Sequence, residues 1–294
     1  MLQNTLYWHD YETFGLDPAR DRPVQFAGIR TDEDLNVIDE PLNIMARPAM
    51  DTLPHPMSSL ITGITPKQAL EQGLPEAEFI ARILAELSQP GTCGVGYNSL
   101  RFDDEVTRNT LYRNLHDPYG REWQNGNSRW DIIDMVRACH DLRPEGIVWP
   151  RRADTSRPSF RLEELTVANG ITHEQAHDAL SDVYATLAIA KLIKEKQPKL
   201  YGFLYRLRRK NEVLKHIDLK EMTPILHTSG MYGSDHGNTR LVVPVAAHPT
   251  NGNSIIVFDL AQDPALLLDL GTKTLRERLY TANEDLPEGV ERPK

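Results

Sequence analysis

The segment Leu6-Tyr7-Trp8-His9-Asp10-Tyr11-Glu12 constrains this chain more than any other stretch. Leu6, Trp8, Asp10 and Glu12 alternate, so a strand here puts all four on one face of its sheet. Two carboxylates therefore continue an apolar row that needs another layer to cover it. Like charges brought together under such a layer are costly unless a cation lies between them. No Lys or Arg in the segment can serve, which leaves a hard divalent ion as the natural partner. The alternative is a strand that emerges into solvent at Asp10.

The surrounding pattern is that of an α/β chain. Thr5 to Glu12 reads as a strand, Gly15 and Pro18 as a turn, and Val24 to Arg30 as a second strand with Val37 and Ile38 beyond it. The apolar spacing of Phe79, Ile80, Ile83, Leu84 and Leu87 predicts a helix over 66–87, stopped by Pro90-Gly91. A strand over 92–97 follows, then a helix from Asp103 or Asp104 to about Leu115 and another at 131–138. The Pro- and Arg-rich stretch 144–158 reads as a surface loop. Helices are predicted at 160–168 and 178–196, the latter ending before Pro198. Helices alternating with strands imply helices packed on a mixed sheet. After residue 200 a basic helix gives way to short strands at 241–245 and 255–260, so the reading is two domains, 1–198 and 199–294, the second mostly β. A length of 294 residues allows this.

A formal net charge of −9 excludes a uniformly cationic nucleic-acid binder. Distribution matters more than the total. Lys191, Lys194, Lys196, Lys199, Arg206, Arg208, Arg209, Lys210 and Lys215 face only Glu195 and Glu212 within their stretch, which is either a local positive field or a solvated helix face. Cys93 and Cys139 match no metal or redox spacing and read as buried small side chains of a reducing compartment. No apolar run reaches membrane-spanning length, and the chain is expected to be soluble and cytoplasmic.

Two further segments support the acidic pair. Asp103 closes Asn98-Ser99-Leu100-Arg101-Phe102-Asp103 at a strand end leading into a helix, where open α/β sheets place ligands; it or Asp104 could equally be a helix N-cap. Asp178 reads as the cap of the next helix, with Asp182 in its first turns. His177 just before it is either a structural histidine or one that reaches the same cleft.

Together these segments resemble a known family. Asp10-Tyr11-Glu12-Thr13, the Asn-x-x-x-Phe-Asp ending at Asp103 and the His-x-x-x-x-Asp from His177 to Asp182 resemble the three motifs of the DEDDh exonuclease superfamily. His9 to Gly15, Arg101 to Asn109, Asn127 to Asp131, Ser159 to Glu163, Ala176 to Ala179 and Asp182 to Thr186 narrow the resemblance to the bacterial exonuclease I family. Ser229-Gly230-Met231-Tyr232-Gly233 extends it past the catalytic region. The resemblance implies a ribonuclease-H-like mixed sheet with flanking helices, followed by a partial SH3-like domain. It also implies 3'→5' degradation of single-stranded DNA to 5'-mononucleotides in repair and recombination.

By the same resemblance, Asp10, Glu12, Asp103 and Asp182 hold two Mg2+ ions, with Mn2+ as a substitute, and His177 takes the proton from the attacking water. Glu12 and Arg161 meet the terminal nucleotide. Arg108, Tyr119, Trp123, Arg137, His177, Lys210 and Asn253 contact DNA, and single-stranded DNA-binding protein is an implied partner of a monomeric enzyme. Family members continue beyond Lys294 into a helical domain, so this sequence reads as a fragment or a natural short form. Two other functions remain open: an RNA-end or proofreading exonuclease using the same site, and a noncatalytic single-strand binding module.

Overall fold

The computed structural model describes residues 4–172, 178–234 and 237–290. The chain divides into two compact units, Met1–Lys210 and Asn211–Lys294.

The first unit is built on a five-stranded mixed sheet of β1 (Thr5–Thr13), β2 (Pro23–Thr31), β3 (Leu42–Met45), β4 (Thr92–Gly96) and β5 (Ser128–Asp131), in the order β3-β2-β1-β4-β5. β1, β2 and β3 pair antiparallel, whereas β4 and β5 run parallel to β1. The central strand β1 is thus hydrogen-bonded on both sides, and its alternation sorts side chains cleanly between two layers. Leu6 and Trp8 enter a core with Val95, Ile132, Val183, Leu187, Ala190 and Ile193, while Tyr7 and Tyr11 enter another with Phe26, Phe79, Ile80, Ile83 and Leu111. The buried Trp8 indole N–H donates to Thr31 Oγ1 at 2.9 Å, so the ring is buried without an orphaned donor.

The helices of this unit are α1 (Pro56–Thr62), α2 (Pro66–Gln72), α3 (Glu76–Leu87), α4 (Asp103–Arg113), α5 (Ile133–Leu142), α6 (Leu162–Ala168), α7 (Ala179–Lys196) and α8 (Pro198–Leu207). α7 lies on β1 and β2 over the Leu6–Trp8 row, and α3 and α4 pack on each other and supply the opposite core. α7 starts where its cap does: Asp178 is extended, and its carboxylate accepts from the Ser181 N–H at 3.1 Å.

Several sequence expectations change. The helix expected over 66–87 is two helices, because the chain turns extended at Gly73 and Leu74 pairs with the end of β3, its N–H donating to the Met45 carbonyl at 2.8 Å and its carbonyl accepting from the Arg47 N–H at 2.7 Å; a Cβ at Gly73 would stand 2.4 Å from the Ala69 carbonyl oxygen and 2.5 Å from the Arg47 nitrogen. The helix expected from 131 begins at Ile133, since Ser128–Asp131 pairs with β4 as an edge strand. Neither Asp103 nor Asp104 caps α4, whose N-cap is Phe102 with no side-chain cap bond. The compact units divide after Lys210, and α8 belongs to the first, with Tyr201 buried edge-on to Trp130 at 5.4 Å.

The second unit contains a three-stranded antiparallel sheet of β6 (Ile225–Thr228), β7 (Thr239–Ala247) and β8 (Ile255–Asp259), in that order. Three more α-helices, α9 (Lys210–Leu214), α10 (Ala265–Leu268) and α11 (Thr272–Tyr280), and four short 3-10 helices, at Gly120–Glu122, Gln124–Gly126, Gly230–Tyr232 and Asn283–Asp285, complete the described elements. No helix among the described residues is long and apolar enough to cross a membrane.

Gly73→Ala should lower unfolding free energy by about 1–3 kcal/mol, since the obstructing atoms are backbone and cannot rotate away. Urea denaturation of the variant would show this as a lower midpoint at unchanged slope.

Candidate active site

β1 delivers Asp10 and Glu12 onto the face that α7 covers, and the first turns of α7 deliver Asp182. One carboxylate oxygen from each of these three residues lies within 4.8 Å of the others. All three are partly buried. Asp103, at the start of α4 and 5% exposed, stands close enough to Asp10 to be the largest charge acting on it. The alternative in which Asp10 marks emergence into solvent is thereby excluded.

Electrostatics express the strain of this gathering. Burial first, then Asp103 and Asp182, raise the Asp10 carboxyl well above the usual carboxylate range. Glu12 is pushed up to about 9 by burial and by Asp10, Asp182 and Asp178. Asp103 is also raised, by burial and by Asp104, against a hydrogen bond from the Tyr11 backbone. No Lys or Arg is paired with Asp10, Glu12 or Asp103 in the ion pairs of the described residues. The donor set is all carboxylate oxygen, which suits a hard divalent cation and does not suit a thiolate-preferring one.

Neighbouring Asp104 is treated in the opposite way. Although burial acts to raise it, Arg121 and Arg129 hold its carboxyl below the ordinary range, with Arg129 Nη1 2.9 Å from Oδ2 and Arg121 bonded to Oδ1. His9 on the same side of the sheet is pushed down to about 4 by burial, so it sits there neutral. Asp131 carries a role that spacing alone does not reveal. Its carboxylate accepts from the N–H groups of Asn98 (2.8 Å), Leu100 (3.2 Å) and Ile133 (3.0 Å), and so shapes the connection that carries Asp103. The sequence signal for that turn is Asn98 itself, a residue tolerant of its φ of +59°.

The residues expected at the strand are placed less uniformly. Arg161 is the N-cap of α6, 63% exposed, 3.5 Å from Glu164. Tyr119 and Trp123 are exposed at 54% and 65%. Arg108 lies over the Tyr119 ring at 5.0 Å, but its guanidinium is bidentate to Glu122 at 2.7 Å. Arg137 pairs with Asp134 at 2.7 Å. In the basic stretch, Arg208 stacks on Tyr205 at 3.5 Å and donates to Ser128 Oγ at 3.3 Å, which makes it a packing residue as much as a charge. Lys215 pairs with Glu212 at 2.7 Å. Lys210 is exposed, and so is Asn253, in the β7–β8 connection of the second unit. His177 lies outside the described residues.

With this geometry in place, comparison with known proteins becomes informative. A family model described as Exonuclease matches residues 7–190, and one described as Exonuclease I SH3-like domain matches 208–294. Exodeoxyribonuclease I of Buchnera aphidicola from Acyrthosiphon pisum is 47% identical over 94% of this chain and 67% of its own length. The chain belongs to the exonuclease I family. Exodeoxyribonuclease I of Escherichia coli K12 is 55% identical over 99% of this chain, which spans 61% of that relative's length. The solved E. coli exonuclease I complex with a dA16 oligonucleotide superposes with a TM-score of 0.96 at 55% identity, covering 99% of this chain and 62% of that one. A zinc-ion-bound form of the E. coli enzyme with single-stranded DNA gives 0.94 at 55% identity with the same coverage. Its complex named ExoI/SSB-Ct gives 0.92 at 55% identity, covering 97% and 61%.

The raised carboxyls fix a sign for pH dependence. Glu12 releases its proton near pH 4.5 when unfolded but near 9 in the metal-free fold. The folded state therefore binds more protons across that window, and stability falls as pH rises through it. In chelated protein the unfolding temperature should drop from pH 5 to pH 8.5, and Glu12→Gln should flatten that drop. Divalent metal should raise the unfolding temperature more at pH 8 than at pH 6, because protons compete for its ligands. Differential scanning fluorimetry across pH, with and without chelator, measures all three trends.

Proposed function

We propose that this chain is a magnesium-dependent 3'→5' exonuclease that removes 5'-mononucleotides from single-stranded DNA, acting in DNA repair and recombination in the cytoplasm. The observation that carries the reading is the convergence of Asp10, Glu12 and Asp182 within 4.8 Å, with Asp103 beside Asp10, on an exonuclease I fold.

Asp10, Glu12, Asp103 and Asp182 would hold the metal, with Asp10 at the centre of the set. Held there, divalent ions would supply Lewis-acid polarisation of the phosphoryl group for in-line displacement by water. In that displacement a water oxygen bonds to phosphorus as the bond from phosphorus to the leaving 3' oxygen breaks. His177 is proposed as the group that accepts the water's proton, a task suited to a side chain titrating near neutrality. Arg161, exposed at the start of α6, can hold phosphate bidentately, and Glu12 borders the terminal nucleotide. Tyr119 and Trp123 offer exposed ring faces on which bases can stack, with Arg108, Arg137, Lys210 and Asn253 as further contacts along the strand. Because this chain spans only 61% of the E. coli relative, a role for single-stranded DNA-binding protein as partner is likewise part of the proposal, supported by the ExoI/SSB-Ct structure.

The deciding experiment incubates 5'-labelled DNA and matched RNA oligonucleotides with the protein, with and without magnesium. Stepwise shortening of DNA from the 3' end only with metal supports the reading. Preferential shortening of RNA indicates the RNA-end alternative, and binding without any product indicates a noncatalytic module.

Asp10→Asn and Asp182→Asn should each abolish nearly all turnover while leaving the unfolding temperature in chelator undiminished, since each removes a repelling charge from the metal-free fold. Near-normal turnover by either variant with magnesium would overturn the metal assignment. Trp123→Ala should weaken binding of a single-stranded oligonucleotide by about 1–3 kcal/mol, the worth of one stacked base, at little cost to saturating turnover. Fluorescence anisotropy and single-turnover kinetics separate the two effects.

A further inference from the structure

Gln25 lies on β2 directly opposite Glu12 in the antiparallel register, and its side chain is 3% exposed. Its amide is fully engaged. Nε2 donates to Asp178 Oδ1 at 2.9 Å and to Asn43 Oδ1 at 3.1 Å, and Oε1 accepts from the Ala179 N–H at 3.3 Å. Asp178 passes the constraint on. Its other carboxylate oxygen accepts from the Ser181 N–H at 3.1 Å, and its backbone carbonyl accepts from the Asp182 N–H at 3.0 Å.

We propose that Gln25 is a positioning residue for the carboxylate site, fixing the first turn of α7, and with it Asp182, against the strand that carries Asp10 and Glu12. The physical need is clear. Asp182 stands on a helix whereas Asp10 and Glu12 stand on a strand, and their mutual repulsion pushes these elements apart until a cation arrives. Apolar packing along the length of α7 resists that separation but is non-directional, so it leaves the helix free to rotate or slide by a fraction of an ångström. Hydrogen bonds from one buried amide to both a side chain and the backbone at the first turn remove that freedom. Apart from Asn43, the side-chain partners of Gln25 are the cap and the first residue of α7, so its amide serves the junction between the layers.

The inference rests on the exonuclease reading for its kinetic consequence, but metal affinity tests it independently. Titration of the 294-residue chain with Mn2+, followed by electron paramagnetic resonance, gives that affinity, and a single-stranded DNA oligonucleotide gives kcat and KM. Gln25→Leu should weaken Mn2+ binding about 10- to 100-fold, as loss of an orienting partner does at metal sites, with kcat falling and KM little changed. Gln25→Glu should be at least as impaired, since it sets a carboxylate against Asp178. The double variant Gln25→Glu/Asp178→Asn restores a donor facing an acceptor with unchanged total charge. An asparagine also caps a helix well, and the Asn43 amide can turn over to donate. It should recover at least tenfold in Mn2+ affinity over Gln25→Glu alone.

A folded Gln25→Leu protein with unaltered Mn2+ affinity and kcat overturns the proposal. So does a double variant no better than Gln25→Glu, an outcome that stays decisive if Gln25→Leu does not fold. Wild-type protein that binds Mn2+ but cleaves nothing would defeat the exonuclease reading, while the affinity series would still decide the role of Gln25.

Discussion

The structure turns on the repulsion among carboxylates gathered at the covered end of the central strand of one sheet. Asp10 and Glu12 continue the row begun by Leu6 and Trp8, so the layer that buries the apolar half of β1 also shields the acidic half from water. The fold must hold α7 and the start of α4 close to that strand against the charge. It does so with the apolar surface of α7, with the Asp131 carboxylate bound to three backbone N–H groups, and with the hydrogen bonds at Asp178. A cluster of carboxylate oxygens built this way has the chemistry that a hard divalent cation suits.

Asp103 and Asp104 show how finely environment assigns roles to identical side chains. They are adjacent in sequence and both buried. Asp103 meets other carboxylates and is driven toward its protonated form, whereas Asp104 meets Arg121 and Arg129 and stays ionised. Asp104 anchors the start of α4 through a buried ion pair, an arrangement whose partners cannot be separated without leaving an unpaired charge. Counting cations misleads for the same reason: Arg108, Arg137 and Arg208 are each engaged within the protein. Within the basic stretch, Lys194, Lys196 and Lys215 are paired with Asp34, Glu195 and Glu212, so its positive field is smaller than its composition suggests.

Features written within a few residues were legible before folding. The alternation of β1 placed Asp10 and Glu12 on the buried face; Asp178 announced the start of α7 and put Asp182 in its first turns; extended motif matches named the family. Short elements with few periodic residues escaped such reading, among them β3, β5 and β6, as did the break at Gly73, where the obstructing Arg47 comes from a distant segment. Folding in three dimensions settled that Asp103 stands beside Asp10 while Asp104 pairs with arginines, that Asp131 shapes the loop before them, that Arg208 is stacked on Tyr205, and that Gln25 reaches Asp178 across 153 positions. The physical reason is range: periodicity and capping act over one or two turns of chain, whereas the charge state and role of a buried polar group depend on partners that folding alone brings within 3 Å.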